Sequence, residues 1–318
     1  MNYVLGIDGG GSKTLCILMD ENREIRGRGY GGCSNYHLVG EQKAFLAMET
    51  ALEKATENLN KIEIKALGIG LAGVSRPQDF QVIQNWVKEL QSSEKLPIKW
   101  SLLSGNIVIS HDALIALVGG AAKAIGILVN AGTGSIIFGR NKRGEVKRVG
   151  GWGHLLGDEG SAYTIAIRGM KAALKGFDGS GEKTLLSAYF QQHLSLASLE
   201  DLVKTIYQKE WGVSEIASLA PLIDQVAVAG DLAAQKILEQ TVNELVEGTK
   251  IVKKTLFSES EIIEIVTSGS VWQSQYPIRA RFQALLEQHS PQIRVIQPRH
   301  EPAYGAALLA LQTFNPLA

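Results

Sequence analysis

The sequence predicts an α/β protein built of two similar mixed-sheet domains, and two observations carry that expectation. A strand, a glycine-rich loop and a second strand occur in the same order twice, and each copy is followed by helices alternating with further apolar strands. At 318 residues the chain is long enough for two cores of ordinary size.

The first copy opens on the apolar strand Tyr3-Val-Leu-Gly-Ile7 and passes through Asp8-Gly-Gly-Gly-Ser-Lys-Thr14. A second strand, Leu15 to Met19, and the polar turn Asp20-Glu-Asn-Arg23 complete it. About 120 residues later the order returns as Gly126-Ile-Leu-Val129, Asn130-Ala-Gly-Thr-Gly-Ser135, Ile136-Ile-Phe138 and the turn Asn141-Lys-Arg-Gly144, an internal repeat of structure. Between the copies, helical period marks Glu41 to Leu59, apolar at Phe45, Met48, Leu52 and Ala55, and a helix around Phe80 to Leu90. Apolar strands run from Ala66 to Ala72 and from Asn106 to Ile109. Three strands, then helices alternating with two more, describe a ribonuclease-H-like unit with a mixed five-stranded sheet flanked by helices. The second half is more helical, over Ser161 to Lys175, Glu182 to Gln192, Leu199 to Tyr207 and Pro221 to Lys254. Its strand Ile262 to Thr267 runs into Ser268-Gly-Ser270, and Ala303 to Leu311 is a small-residue helix. The expected division is an N-terminal domain 1–118, onto which a C-terminal helix 303–318 packs back, and a second domain 119–302. No Pro/Ser-rich tether separates them, so the expectation is a hinge made by elements, with a ligand cleft between the domains.

Lys plus Arg equals Asp plus Glu at 32 each, so no broad basic field exists to attract nucleic acid or anionic lipid. Cys16 and Cys33 are the only cysteines, too few for a disulfide framework and not paired as C-x-x-C, which suits a reducing, cytoplasmic setting. The N-terminus runs straight into a strand and a glycine loop and has no signal-peptide pattern. The most apolar stretch, Ala121 to Gly139, is broken by Lys123, Asn130 and Gly132-Thr-Gly-Ser135, and reads as buried strands joined by a turn rather than a membrane span.

The glycines of Asp8-Gly-Gly-Gly-Ser-Lys-Thr14 permit a tight turn and bring N–H groups of Gly10 and Gly11 close to a phosphate, while the hydroxyls of Ser12 and Thr14 add donors. Asp8, at a strand end, is placed to hold Mg²⁺ directly or through water. Taken alone the segment is a hairpin turn, and Lys13 a solvated charge. The second copy favours a nucleotide site, in which two loops hold the β- and γ-phosphates of ATP. A P-loop or Rossmann site is excluded, because no G-x-x-x-x-G-K-[ST] occurs and the loop joins strand to strand. Asp112 lies where a strand gives way to an apolar helix; it is either a helix N-cap or a general base taking the proton of an attacking sugar hydroxyl. His111 beside it reads equally as a packed or a surface histidine. Gly150-Gly-Trp-Gly-His-Leu-Leu-Gly-Asp-Glu-Gly-Ser161 crowds five glycines, a Trp, a His, an Asp and a Glu into twelve residues. That composition suits a ligand loop, with Asp158 or Ser161 capping the helix that follows as the plain alternative. Ser34-Asn35 is a weaker turn signal.

These segments, together with Ser268-Gly-Ser-Val-Trp272, closely resemble the N-acetylglucosamine kinase family, which stands with the activators of benzoyl-CoA reductase and hydroxyacyl-CoA dehydratase among the actin-like ATPases. The resemblance covers nearly the whole chain, and the Gly-Trp-Gly-His segment is its most specific part. It implies transfer of the γ-phosphoryl group of ATP to the 6-hydroxyl of an amino sugar, with Mg²⁺, usually in a homodimer. It implies Asp112 as catalytic base; Asn35, Ser135, Gly151, Trp152, Gly153 and Asp158 on the sugar; and Ser12, Thr133, Gly269, Ser270 and Ser274 on the nucleotide, beside the loop residues Gly10, Gly11, Lys13, Thr14, Gly132 and Gly134. The chain departs from the family at His111, where vertebrate members carry Thr, at Ile136 for an Asn beside the sugar, and at Ala131 for Ser. N-Acetyl-D-glucosamine leads the expected substrates, followed by glucosamine, N-acetylmannosamine, N-acetylmuramic acid and glucose. An electron-transfer activator would need an iron–sulfur cluster on cysteines, for which Cys16 and Cys33 lack the spacing. A non-catalytic sugar sensor would have no use for Asp8 and Asp112 together.

Overall fold

The structure is a computed structural model describing residues 2–59, 62–74 and 76–315. It divides into two compact units, Met1–Gly126 with Pro298–Ala318, and Ile127–Gln297. Residue 118, taken above as the junction, lies inside a helix of the first unit. In chain order the first unit contains β1 (Tyr3–Gly9), β2 (Thr14–Asp20), β3 (Ile25–Gly31), α1 (Tyr36–Val39), α2 (Glu41–Thr56), β4 (Ile62–Leu71), α3 (Pro77–Ser92), β5 (Ile98–Trp100), β6 (Ile107–His111) and α4 (Asp112–Ala121). The second contains β7 (Gly126–Ala131), β8 (Ser135–Arg140), β9 (Val146–Gly150), α5 (Ala162–Asp178), α6 (Leu186–His193), α7 (Asp201–Ile206), α8 (Val213–Ala217), α9 (Ala220–Val228), α10 (Leu232–Leu256), β10 (Ile263–Ser268), α11 (Ile278–His289) and β11 (Ile293–Ile296). The chain then returns to the first unit as α12 (Pro302–Phe314).

The repeat read from the sequence extends to the whole sheet order. The first sheet runs β3-β2-β1-β4, with the far edge of β4 taken first by β5 and then by β6; the second runs β9-β8-β7-β10-β11. The first sheet therefore has six strands on five positions. Even the hairpin turns match. Asp20 Oδ1 accepts the N–H groups of Asn22 and Glu24, and Asn141 Oδ1 those of Arg143 and Glu145, while Arg23 and Gly144 both take a positive φ.

In the first unit the sheet is covered on both faces, and glycine sets how closely. Side chains at Gly27, Gly29 and Gly31 of β3 would begin 1.9–2.0 Å from the carbonyl oxygens of Ala55, Ala51 and Ala47 on α2. Two strand residues advance about 6.6 Å and four helix residues about 6 Å, so the two ladders keep step. On the other face, β-carbons on Gly6 and Gly68 would lie 2.1 and 2.0 Å from main-chain oxygens of α12, and Gly305 lets α12 cross α4 at Gly119. The carbonyls of Gly119 and Gly120, at the end of α4, accept the N–H groups of His300 and Arg299. In the second unit one apolar core joins the sheet to α5 through α11. Among the described residues no single helix is long and apolar enough to cross a membrane, and Ala121–Gly139 contains β7 and most of β8 as read above.

Several expected boundaries shift. The helix read from Pro221 to Lys254 is two, because Gly230 takes φ 96° and Asp231 caps α10 by accepting the Ala234 N–H at 2.9 Å. The helices read from Glu182 and Leu199 begin at Leu186 and Asp201, and β6 continues past Ile109 to His111.

Candidate active site

In the first unit the hairpin loop is closed by the Gly10 N–H donating to the Lys13 oxygen at 3.0 Å, leaving Gly11, Ser12 and Lys13 exposed at the tip. Thr14 is turned the other way. It is fully buried, its hydroxyl donating to the Gly32 oxygen at 2.7 Å and lying 2.8 Å from the Ser34 hydroxyl. The hydroxyl expected to add a phosphate donor is thus engaged within the fold, and its role is to hold the loop against the end of β3.

Strand register brings the two carboxylates of this unit to one end of the sheet. Asp8 pairs with Gly70 on β4, and Gly70 with Ser110 on β6, two residues before Asp112. Burial pushes the Asp8 carboxyl up to about 7, the negative charge of Asp112 adds to the rise, and Lys13 opposes it. Lys13 therefore acts on this centre rather than on solvent alone. Asp112 is not the cap of α4: His111 is, its Nδ1 accepting the Leu114 N–H at 3.3 Å. Asp112 opens the first turn, with one oxygen accepting the Ala113 N–H at 2.8 Å. The histidine does the capping, so the Asp112 side chain is not spent on it.

Asn35 caps the short helix α1, its Oδ1 accepting the His37 N–H at 3.2 Å beside Gly73. That helix is pinned to α3. The Tyr36 hydroxyl donates to Asp79 Oδ1, His37 Nε2 lies 3.5 Å from the same oxygen, and Asp79 Oδ2 accepts the Arg76 N–H at 2.7 Å. Sequence reasoning missed this support, since an Asp in the first turn of a helix is ordinary by itself.

In the second unit the loop between β7 and β8 sits on the start of α5. The oxygens of Gly132 and Thr133 accept the N–H groups of Ala162 and Tyr163, and Ser161 caps the helix, its Oγ accepting the Thr164 N–H at 3.1 Å. Of the two capping candidates, Ser161 is the cap. The segment 150–161 folds back onto the loop. Ser135 Oγ donates to the Glu159 oxygen at 2.7 Å, so its proton is used within the fold and its lone pairs remain. A β-carbon on Gly134 would lie 2.8 Å from Asp158 Oδ2. Asp158 is buried, and burial raises its carboxyl against the lowering effect of hydrogen bonds from the backbone of Gly153 and Ser135. Gly150, Gly151, Gly153 and Gly160 all take φ between 70° and 85°, which no other residue adopts comfortably. Trp152 projects from this scaffold, 66 % exposed, with the Arg148 guanidinium 3.9 Å over its ring. One indole face is therefore occupied and only the other is open to a sugar ring.

Gly269, at φ 104°, follows β10; a β-carbon there would lie 2.3 Å from the Ala131 oxygen. Thr133, Ser270 and Ser274 share a cavity of about 470 Å³, walled mainly by apolar groups including Ala217, Pro221 and Ile278. Its volume and lining suit a nucleoside. The Ser274 hydroxyl donates to Asp224, which also accepts the N–H groups of Gln275 at 2.8 Å and Tyr276 at 2.9 Å. Nothing in the spacing of α8 and α9 had marked them as walls of a site. Among the described residues no three His, Cys, Asp or Glu side chains form a metal cluster.

A duplicated sheet with a glycine loop heading each copy, a carboxylate pair in one unit and an apolar pocket in the other define a phosphate-handling α/β protein. The chain belongs to the BadF/BadG/BcrA/BcrD ATPase family, whose pattern matches residues 5–310. The N-acetylmuramic acid/N-acetylglucosamine kinase of Clostridium acetobutylicum is 36% identical over 315 residues, 98% of each chain. The N-acetyl-D-glucosamine kinase of Dictyostelium discoideum is 32% identical over 321 residues, 97% of this chain and 98% of that one. A crystal structure from Chromobacterium violaceum, described as a candidate N-acetylglucosamine kinase, shares the fold at a TM-score of 0.73 and 24% identity, covering 98% and 99% of the two chains.

Proposed function

We propose that this protein is an ATP-dependent amino-sugar kinase that phosphorylates the 6-hydroxyl of N-acetyl-D-glucosamine, with Asp112 as general base. The observation that carries the reading is the carboxylate pair: Asp112 is relieved of helix capping by His111 and acts on a second, buried carboxyl at Asp8. The activities of the two relatives at 36% and 32% identity support the substrate class. Asp112 takes the proton of the 6-hydroxyl as that oxygen bonds to the γ-phosphorus, and the bond from phosphorus to the bridging oxygen breaks to release ADP. The Asp8 carboxyl, buried and within reach of the charge of Asp112, carries its own charge only with the help of a cation, so Asp8 fits a Mg²⁺ site. Held there, Mg²⁺ would supply neutralisation of the charge that develops on the transferred phosphoryl group.

In this reading Gly10, Gly11, Ser12, Lys13, Gly132, Thr133 and Gly134 bear on the phosphates, and Gly269, Ser270 and Ser274 on the adenosine. Asn35, Ser135, Gly151, Trp152, Gly153 and Asp158 bear on the sugar, and Thr14 supports its loop. Cys16 and Cys33, both free thiols, fit a cytoplasmic location, and light scattering reads whether the protein is a homodimer. Glucosamine, N-acetylmuramic acid and N-acetylmannosamine are the competing acceptors.

An ADP-release assay over a panel of hexoses and amino sugars tests the reading. Asp112→Asn is expected to lower kcat by about 10²–10⁴-fold. Full activity in that variant removes Asp112 as base, and ADP release that no sugar stimulates removes the kinase assignment.

A further inference from the structure

Arg148 has no part in the reaction above, yet it stands over Trp152 in the segment assigned to the sugar. Its guanidinium lies 3.9 Å from the indole centroid, both side chains are exposed, and among the described residues no carboxylate pairs with it. Two other arginines of the same unit are engaged: Arg143 with Glu145, and Arg168 with Glu244. A guanidinium held over an indole loses part of its hydration while N–H groups directed away from the ring stay open, an arrangement suited to gripping a carboxylate. Asp158, on the same segment as Trp152, is buried against Gly134 and hydrogen-bonded by the backbone of Gly153 and Ser135. Lys147 precedes Arg148 on β9 and so falls on the opposite face of the strand.

We propose that Arg148, propped on Trp152, recognises a carboxylate carried by the sugar, so that amino sugars with an acidic substituent, such as the carboxyethyl ether of N-acetylmuramic acid, are substrates beside neutral ones. This rests on the amino-sugar kinase reading and adds a specificity-determining residue to it.

The test compares kcat/KM for N-acetylglucosamine, N-acetylmuramic acid and the methyl ester of N-acetylmuramic acid, with ATP and Mg²⁺, in the wild type, Arg148→Gln and Arg148→Lys. The quantity read is the ratio of the acidic sugar to N-acetylglucosamine. That ratio is expected to fall about tenfold in Arg148→Gln, the scale of one charge-assisted hydrogen bond, and less in Arg148→Lys. It falls similarly when the wild type is given the ester, and it falls with added salt. If Arg148→Gln does not fold by circular dichroism, the acid-against-ester comparison in the wild type carries the test. A ratio unchanged by both the substitution and esterification overturns the proposal, as does a wild type that phosphorylates N-acetylglucosamine and refuses the acid. Either result leaves the kinase reading standing, whereas no turnover on any sugar removes both.

Discussion

A carboxyl that titrates at about 7 rather than 3.8 links stability to pH. Between those values the folded state keeps a proton on Asp8 that the unfolded chain has released, so stability falls as pH rises through the window, and the penalty is complete above it. Asp8→Asn removes the penalty. In metal- and nucleotide-free buffer the variant's melting advantage over the wild type is expected to be about 5 °C larger at pH 8 than at pH 5, while sugar phosphorylation is lost. Calorimetry at the two pH values checks this, and an equal difference at both would show that burial and Asp112 do not act on Asp8. At this scale the sequence identified the chemical groups and misjudged their duties. Asp112 looked like a cap because Asp commonly is one; the actual cap is an imidazole, which ordinary capping preferences rank low. Thr14 looked like a phosphate donor because its partners, Gly32 and Ser34, lie eighteen and twenty residues on and meet it only once β3 has paired with β2.

Elements carry the next level of positioning. Helix α1 is four residues long and has no buried residue, so it has little intrinsic stability and depends on its tie to α3. Removing the Tyr36 hydroxyl by Tyr36→Phe takes one bond from Asp79 and loosens the support of Asn35. We expect the sugar KM to rise about fivefold, the worth of one hydrogen bond, with the ATP KM unchanged. Steady-state kinetics in both substrates decides it: parallel movement of both constants, or of neither, would mean that α1 does not position a sugar contact. The long strands and amphipathic helices were legible because periodicity is a local property. The short strands β5, β9 and β11 were not bounded, since three to five residues are too few to establish a period. The glycines of β3, a liability by propensity, make sense only once α2 lies on them.

At the scale of the whole molecule the repeat was visible from its two glycine loops, and the structure extends it to an identical order of five strand positions. The duplicated units differ in how their cores close. Every residue of the second unit's core lies within 127–297, whereas the layer beneath β1, β2 and β4 of the first unit is completed by Tyr304, Leu308 and Leu311 of α12. Burial of those three side chains contributes about 5–8 kcal/mol, comparable with the entire stability of an ordinary domain. Fragment 127–297 is therefore expected to fold alone with a cooperative urea transition, while fragment 1–126 is expected to lack one until residues 298–318 are co-expressed with it. Circular dichroism and urea titration of the three preparations check this. A cooperative transition in 1–126 alone would mean that α12 covers a core already closed, and that the close approach of Gly6, Gly68 and Gly119 to it serves packing without being needed for folding.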